Sequence, residues 1–203
     1  MNHLSFVPFV DANPVPVKGN AIHWLLSEIG KKQIEETARI LQKFPGPAID
    51  FGFLAAPRNH QQVARDMVEK FVIGGPHSEP GYMTFPLSES EGLGVNAAVN
   101  SRAQCLDDIA PDSELGQYFK QYGKSRLLFI SMVTQSQHAV VIGYPILLRA
   151  IALEAAIYKG CNNSVCDRVA RLILADGELF QLDLVGKRIV TISDFQSVWL
   201  AQS

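Results

Sequence analysis

The stretch Arg126 to Tyr144, RLLFISMVTQSQHAVVIGY, joins two largely apolar runs across the polar tetrapeptide TQSQ. A continuous apolar run bounded by a turn signal suits a buried strand. The expected elements are therefore two strands, RLLFISMV and HAVVIGY, the second running back beside the first. That hairpin predicts an antiparallel sheet in the C-terminal half of the chain, and the fold class follows from it.

Working outward, Pro145 ends the second strand, and ILLRAIALEAAIY (Ile146 to Tyr158) has the Leu, Ala and Glu content of a helix. ARLILAD, ELFQLDL and KRIVTIS predict three more strands, joined by tight turns at Asp176-Gly177 and Val185-Gly186. SDFQSVWL predicts a short closing helix capped by Ser193 or Asp194. Upstream, residues 1 to 18 read as an extended arm punctuated by Pro8, Pro14 and Pro16. Asn20 is a candidate N-cap for a first helix, with Ile22, Leu25, Leu26 and Ile29 at helical spacing and Gly30 closing or bending it. A second helix is expected over Gln33 to Phe44, a strand within PGPAIDFGFLAAP, a third helix over Asn59 to Phe71, and a short one over Ser113 to Gly123. Residues 74 to 94 are rich in Gly, Pro, Ser and Glu around YMTFPL and read as a surface excursion. Helices first and an antiparallel sheet later is an α+β order. The expected organisation is one domain over residues 1 to 203: the arm, a helical half at 19 to 123 and a sheet half at 124 to 203.

Composition narrows the function classes. With 203 residues, 47% of them hydrophobic and 19% charged, the chain can bury a sizeable core without metals or disulfides. A formal net charge of −2 supplies no basic footprint for nucleic acid. No stretch approaches about 18 uninterrupted apolar residues, so no membrane span is expected. The N-terminus lacks the cationic start and long apolar run of a cleaved signal. Cys105, Cys161 and Cys166 form no CxxC pair, which argues against a zinc cage or a disulfide framework and for a reducing cytosol.

Two residues stand out as chemistry. His138 opens the apolar strand HAVVIGY, where a strand end can present an imidazole at a cleft edge, and Asp183 is the acid before a Gly turn in ELFQLDL. On periodicity alone they read first as a strand-end histidine facing water and a turn-capping acid.

GKSRLLFISMVTQSQHAVVIGY followed by DGELFQLDLVGKRIVTISDFQSVWL resembles the C-terminal half of papain-like cysteine peptidases, among them YopT-like effector peptidases, bacteriocin-processing peptidases and effector glutamine deamidases. The resemblance rests on the order of His138, Asp183 and the segment Ser193, Phe195, Trp199. It implies a papain-like α+β fold, with N-terminal helices packed on a C-terminal antiparallel sheet. It also implies a thiol hydrolase or amidase acting on a protein or peptide substrate. His138 would be the general base, Asp183 its orienter with Asp176 as alternative, and Ala21 would stand in GNAIHWLL where the nucleophilic Cys is expected. The backbone of Ala21 and the side chain of Asn20 would serve the oxyanion, and no cofactor is implied. Two departures accompany it: the alanine itself, and a gap of 45 residues between His138 and Asp183, longer than these families usually show. Ala21 could be a substitution, the mark of a lineage that kept only binding, or a sign that Cys105 is the nucleophile, which its acidic surroundings oppose. The alternative expectation is a non-catalytic binding protein, an adaptor, immunity or assembly component, and the oligomeric state stays open. Effector relatives imply residence in the cytosol of the producing cell and export without a cleavable signal.

Overall fold

The computed structural model of the chain describes residues 1–16, 22–44, 46–55, 60–72, 82–84, 105–133, 137–173 and 179–191. Its centre is the strand that begins at His138. HAVVIG (His138–Gly143) is buried along its whole length, and both of its edges are taken by parallel neighbours. A strand covered on both faces needs apolar residues at successive positions rather than at alternate ones, and AVVI supplies them.

In chain order the strands are β1 (His3–Pro8), β2 (Ala12–Pro16), β3 (Ile22–Leu26), β4 (Phe51–Ala55), β5 (Tyr82–Thr84), β6 (His138–Gly143), β7 (Phe180–Asp183) and β8 (Arg188–Thr191). The α-helices are α1 (Glu28–Leu41), α2 (Gln61–Phe71), α3 (Glu114–Val133), α4 (Pro145–Tyr158) and α5 (Asn163–Arg171). Six strands form one sheet in the order β5-β4-β6-β1-β7-β8, and β2 with β3 makes a separate antiparallel ribbon. The first four strands of the large sheet are mutually parallel; β7 and β8 add an antiparallel margin. This overturns the expected antiparallel sheet and its α+β order: the architecture is α/β.

The cause is the segment RLLFISMV. It is not a strand but the last part of α3, a helix of 20 residues that absorbs the shorter one expected over Ser113 to Gly123. Among the described side chains of this segment only Ile130 is fully buried, in helical phase with Phe119 and Tyr122, while Leu128 and Met132 are 61% and 76% exposed. A short apolar run cannot by itself distinguish a strand from about two turns of helix. IHWLL errs the other way. Residues 23 to 26 alternate exposed and half-buried, the period of a strand, and the first helix starts only at Glu28, capped by Ser27, whose Oγ accepts from the Gly30 N–H at 2.9 Å. CNNSVC contributes to a helix, α5, capped by Asn162, and ARLILAD begins with the last two residues of that helix. The closing segment SDFQSVWL lies outside the described residues.

Side chains of β6 point alternately to two helical layers. Val140 and Ile142 face the layer of α1 and α2, with Ile34, Val63 and Met67. Ala139 and Val141 face α3 and α4, with Phe119, Leu147 and Ile151, and there Phe6 stacks on Phe180 at 4.8 Å. Right-handed crossovers explain the split: β1 to β4 and β4 to β5 progress one way along the sheet, β5 to β6 the other.

In the second layer α3 crosses α4 closely at Gly123. A Cβ added there would overlap the Ala150 carbonyl oxygen and lie 2.8 Å from its carbon. In an unobstructed helix Gly→Ala stabilises by about 1 kcal/mol. Here the clash is with backbone and cannot relax by rotation, so Gly123→Ala should lower the urea midpoint rather than raise it.

Candidate active site

In an open α/β sheet, ligands sit outside the carboxyl ends of strands where successive connections leave toward opposite faces. Here β1 and β4 continue to the α1 and α2 layer, while β6, between them, continues into α4 on the other face. This switch point, where such sheets carry a crevice, is bounded by residues just past each strand. Phe9 follows β1 and its N–H donates to the Gly143 carbonyl at 3.2 Å. Tyr144 follows β6 and is the N-cap of α4; His60 follows β4 in sequence and is the N-cap of α2. Trp24 reaches the same place from β3.

These four rings form one cluster. His60 stacks on Trp24 with centroids 4.8 Å apart and an interplanar angle of 17°. Phe9 lies 5.4 Å from His60 and meets Tyr144 edge-on at 5.3 Å, and His60 and Tyr144 are 6.1 Å apart. Burial lowers the pKa of His60, because a charged ring would lose water, and raises that of Tyr144 for the same reason. At neutral pH the cluster therefore holds a neutral imidazole and a protonated phenol. The helices starting here differ from the others in their caps. Ser27 caps α1 and Asn162 caps α5, but no side chain of the N-cap residue bonds the first turn of α2 or α4. The positive ends of both helix dipoles lie at this edge. Among the described residues, no group of three or more His, Cys, Asp or Glu could hold a metal.

The residues expected from the sequence lie at the opposite, amino edge of the parallel strands. His138 is only 2% exposed. Its Nδ1 is 2.7 Å from the Pro47 carbonyl and its Nε2 2.9 Å from Ser5 Oγ and 3.1 Å from Gln181 Nε2. Donation from Nδ1–H to Pro47 leaves Nε2 to accept from the serine and the amide. Burial lowers the pKa of His138 and His3 nearby adds to this, while the Pro47 hydrogen bond and Asp50 oppose it. Asp183 stands opposite His3 on the other side of β1, with Oδ1 3.9 Å from His3 Nδ1. Burial pushes its pKa up, but the Gly186 N–H at 2.8 Å and Arg188 Nε at 3.0 Å, with His3, outweigh that and hold it below the usual carboxylate range. His3 thus separates His138 from Asp183, and the partner of the His138 ring is a backbone carbonyl. Asn20, Ala21 and Asp176 lie outside the described residues; a strand, not a helix, begins at Ile22. Cys105 is buried, its N–H bonded to Asp108 at 2.9 Å.

Phe9, His60 and Tyr144 were missed because their importance comes from parallel strand ends. The signal that could have found them is Tyr144-Pro145, a strand end running straight into a helix with Pro at its first position.

No family model matches the chain, and no curated protein sequence matches it. Solved structures do. The chain is similar to mycobacterial glucosyl-3-phosphoglycerate phosphatase solved with VO3, at 15% identity over 94% of this chain and 97% of that one, with a TM-score of 0.51. It is similar to the alpha-ribazole phosphatase of Shigella flexneri, at 13% identity over 93% and 94% with a TM-score of 0.50. It is also similar to the phosphoserine phosphatase of Entamoeba histolytica in complex with 3-phosphoglyceric acid, at 11% identity over 95% of each chain with a TM-score of 0.50. The fold is that of the phosphoglycerate mutase-like histidine phosphatases, an α/β fold with a mostly parallel central sheet. The papain-like resemblance is thereby corrected, and the peptidase and deamidase readings built on it fall with it; the fold lends no support to the binding-protein alternative or to export. No helix among the described residues is long and apolar enough to cross a membrane.

The buried histidines set a pH dependence of stability. The folded-state pKa values of His138 and His60 are depressed, so the unfolded chain binds more protons below about pH 6.5. Their contribution is complete above that pH and is lost as pH falls below it. The melting temperature should be flat above pH 7 and drop between pH 6.5 and 5. His138→Gln should flatten part of that drop, and adding His60→Gln should flatten more.

Proposed function

We propose that this protein is a phosphomonoester hydrolase working in the carboxyl-edge crevice, with His60 as nucleophile and Tyr144 as proton donor. The observation that carries the reading is the meeting of the His60 imidazole and the Tyr144 phenol, 6.1 Å apart at the N-termini of α2 and α4. Three solved proteins with this fold are phosphatases, which supports phosphoryl chemistry as the use of such a crevice.

The chemistry follows from the protonation states. A lone pair of the His60 imidazole attacks phosphorus; the ester P–O bond breaks, and the departing oxygen takes the Tyr144 phenolic proton. Water then attacks the phosphoryl group on nitrogen, the P–N bond breaks with its electrons returning to the ring, and the phenolate recovers a proton from that water. N–H groups at the starts of α2 and α4 face the non-bridging oxygens, where charge accumulates. Phe9 and Trp24 wall the crevice with apolar surface, which strengthens those contacts.

A panel of phosphomonoesters scored by phosphate release tests this. Turnover should be abolished in His60→Asn, and Tyr144→Phe should lower kcat about 10²-fold, a common worth of a positioned acid. Rapid quenching should trap an acid-labile phosphoryl group on His60. Because that ring must be neutral, the acid limb of kcat should lie below pH 6.5. No release from any ester, or an unchanged rate in a folded His60→Asn protein, overturns the reading.

A further inference from the structure

The junction between α4 and α5 carries two half-buried thiols, Cys161 and Cys166. Lys159 to Asn162 make the turn, and hydrogen bonds fix it from both sides. Gly160 takes the left-handed conformation at φ 66°; its N–H donates to the Ile157 carbonyl at 3.0 Å, and the Cys161 N–H donates to the Ala156 carbonyl at 2.9 Å. These bonds close the end of α4 and seat Cys161 just past its cap residue, Lys159. On the other side Asn162 caps α5. Its Oδ1 accepts from the Val165 N–H at 3.0 Å and its carbonyl from the Cys166 N–H at 3.2 Å.

Cys161 therefore stands immediately before the N-cap of α5, and Cys166 is the fourth residue inside that helix. Side chains at these two positions pack against each other across a helix start, a place usually filled by a pair of apolar residues. Here both are thiols, and both stay open to a small reagent. Burial raises the pKa of each. Lys187, whose Nζ lies against Gly160, opposes this at Cys161; at Cys166 the neighbouring Cys161 and Asp167 add to it, and a backbone hydrogen bond opposes it. Cys161 is accordingly the readier nucleophile of the two. The third cysteine, Cys105, is buried.

We propose that Cys161 and Cys166 are a reversible two-electron redox site, oxidised by a small disulfide of the glutathione type to a bond that fastens the end of α4 to the first turn of α5. The Cys161 thiolate attacks one sulfur of the small disulfide, whose S–S bond breaks to release a thiolate. The Cys166 thiolate then attacks the Cys161 sulfur of the mixed disulfide, and the second small thiolate leaves. The protein gives up two protons and two electrons; the reagent takes both and becomes two thiols. The site lies at the far end of α4 from Tyr144 and does not depend on the activity assigned to the crevice.

Equilibration of the full chain in mixtures of reduced and oxidised glutathione is the test, with acid quenching, alkylation and peptide mass spectrometry, carried out on the folded chain and again in concentrated urea. The expected product is lighter by two hydrogen atoms, with the bond mapped between positions 161 and 166. Its oxidation constant should be greater in the folded chain than in urea by about tenfold or more, because the turn holds the thiols together. Cys161→Ser and Cys166→Ser should each carry glutathione on the remaining thiol instead. The proposal fails if the folded chain yields only mixed glutathione disulfides or unaltered thiols across the range. It also fails if the bond joins Cys105 or two chains, or if the folded constant falls short of that margin over urea.

Discussion

The fold depends on β6 being paired along both edges by parallel strands, β1 on one side and β4 on the other. A strand so placed has no solvent face, so its side chains must be apolar in both directions and a helical layer must cover each face. Parallel pairing also forbids tight hairpins between these strands. The chain between them has to leave the sheet, form a helix and return, and the direction of each return sets which layer the helix joins. The two-layer core and the crevice at the carboxyl edge are consequences of this one arrangement.

The same strand ends in two different environments. At its amino end His138 is enclosed, and each ring nitrogen is matched: one to the Pro47 carbonyl, the other to donors from Ser5 and Gln181. Left unmatched, such a buried polar atom would cost about 1–3 kcal/mol, so the network makes a tolerable core of what would be a defect. At its carboxyl end the helices begin, and helix starts expose N–H groups that the chain does not satisfy internally. One end is thus closed by hydrogen bonds, while the other presents donors and two rings with exchangeable protons.

Much of this was legible locally and misleading globally. HAVVIG as a strand, ILLRAIALEAAIY as a helix and the turn at Val185-Gly186 follow from residue type and period, and the structure contains all three. What sequence could not supply was the partner of HAVVIG. RLLFISMV is apolar enough for either a strand or a helix end, and choosing the strand made an antiparallel hairpin out of a helix followed by a parallel strand. That single choice moved attention to His138 and Asp183 at the amino edge. His60, Tyr144 and Phe9 carry no local pattern: they come together only because three parallel strands end side by side.

The ribbon of β2 and β3 shows how a misread segment builds the site. Read as a helix, IHWLL would have put Trp24 on a helical face; as a strand, it pairs Trp24 with Pro14 and carries the indole to His60. The base of the ribbon is tied down. Ser27 Oγ donates to the Asp11 carboxylate while accepting from Gly30, and the Asp11 N–H donates to Gln33 Oε1 at 2.8 Å. Gly30 is required there, since a Cβ at that position would overlap the Asp11 carbonyl oxygen. Cap, clamp and glycine together fix where β3 leaves the ribbon and α1 begins. The indole is therefore held against His60 by the same contacts that start the first helix, so the wall of the crevice is as rigid as the helix it introduces.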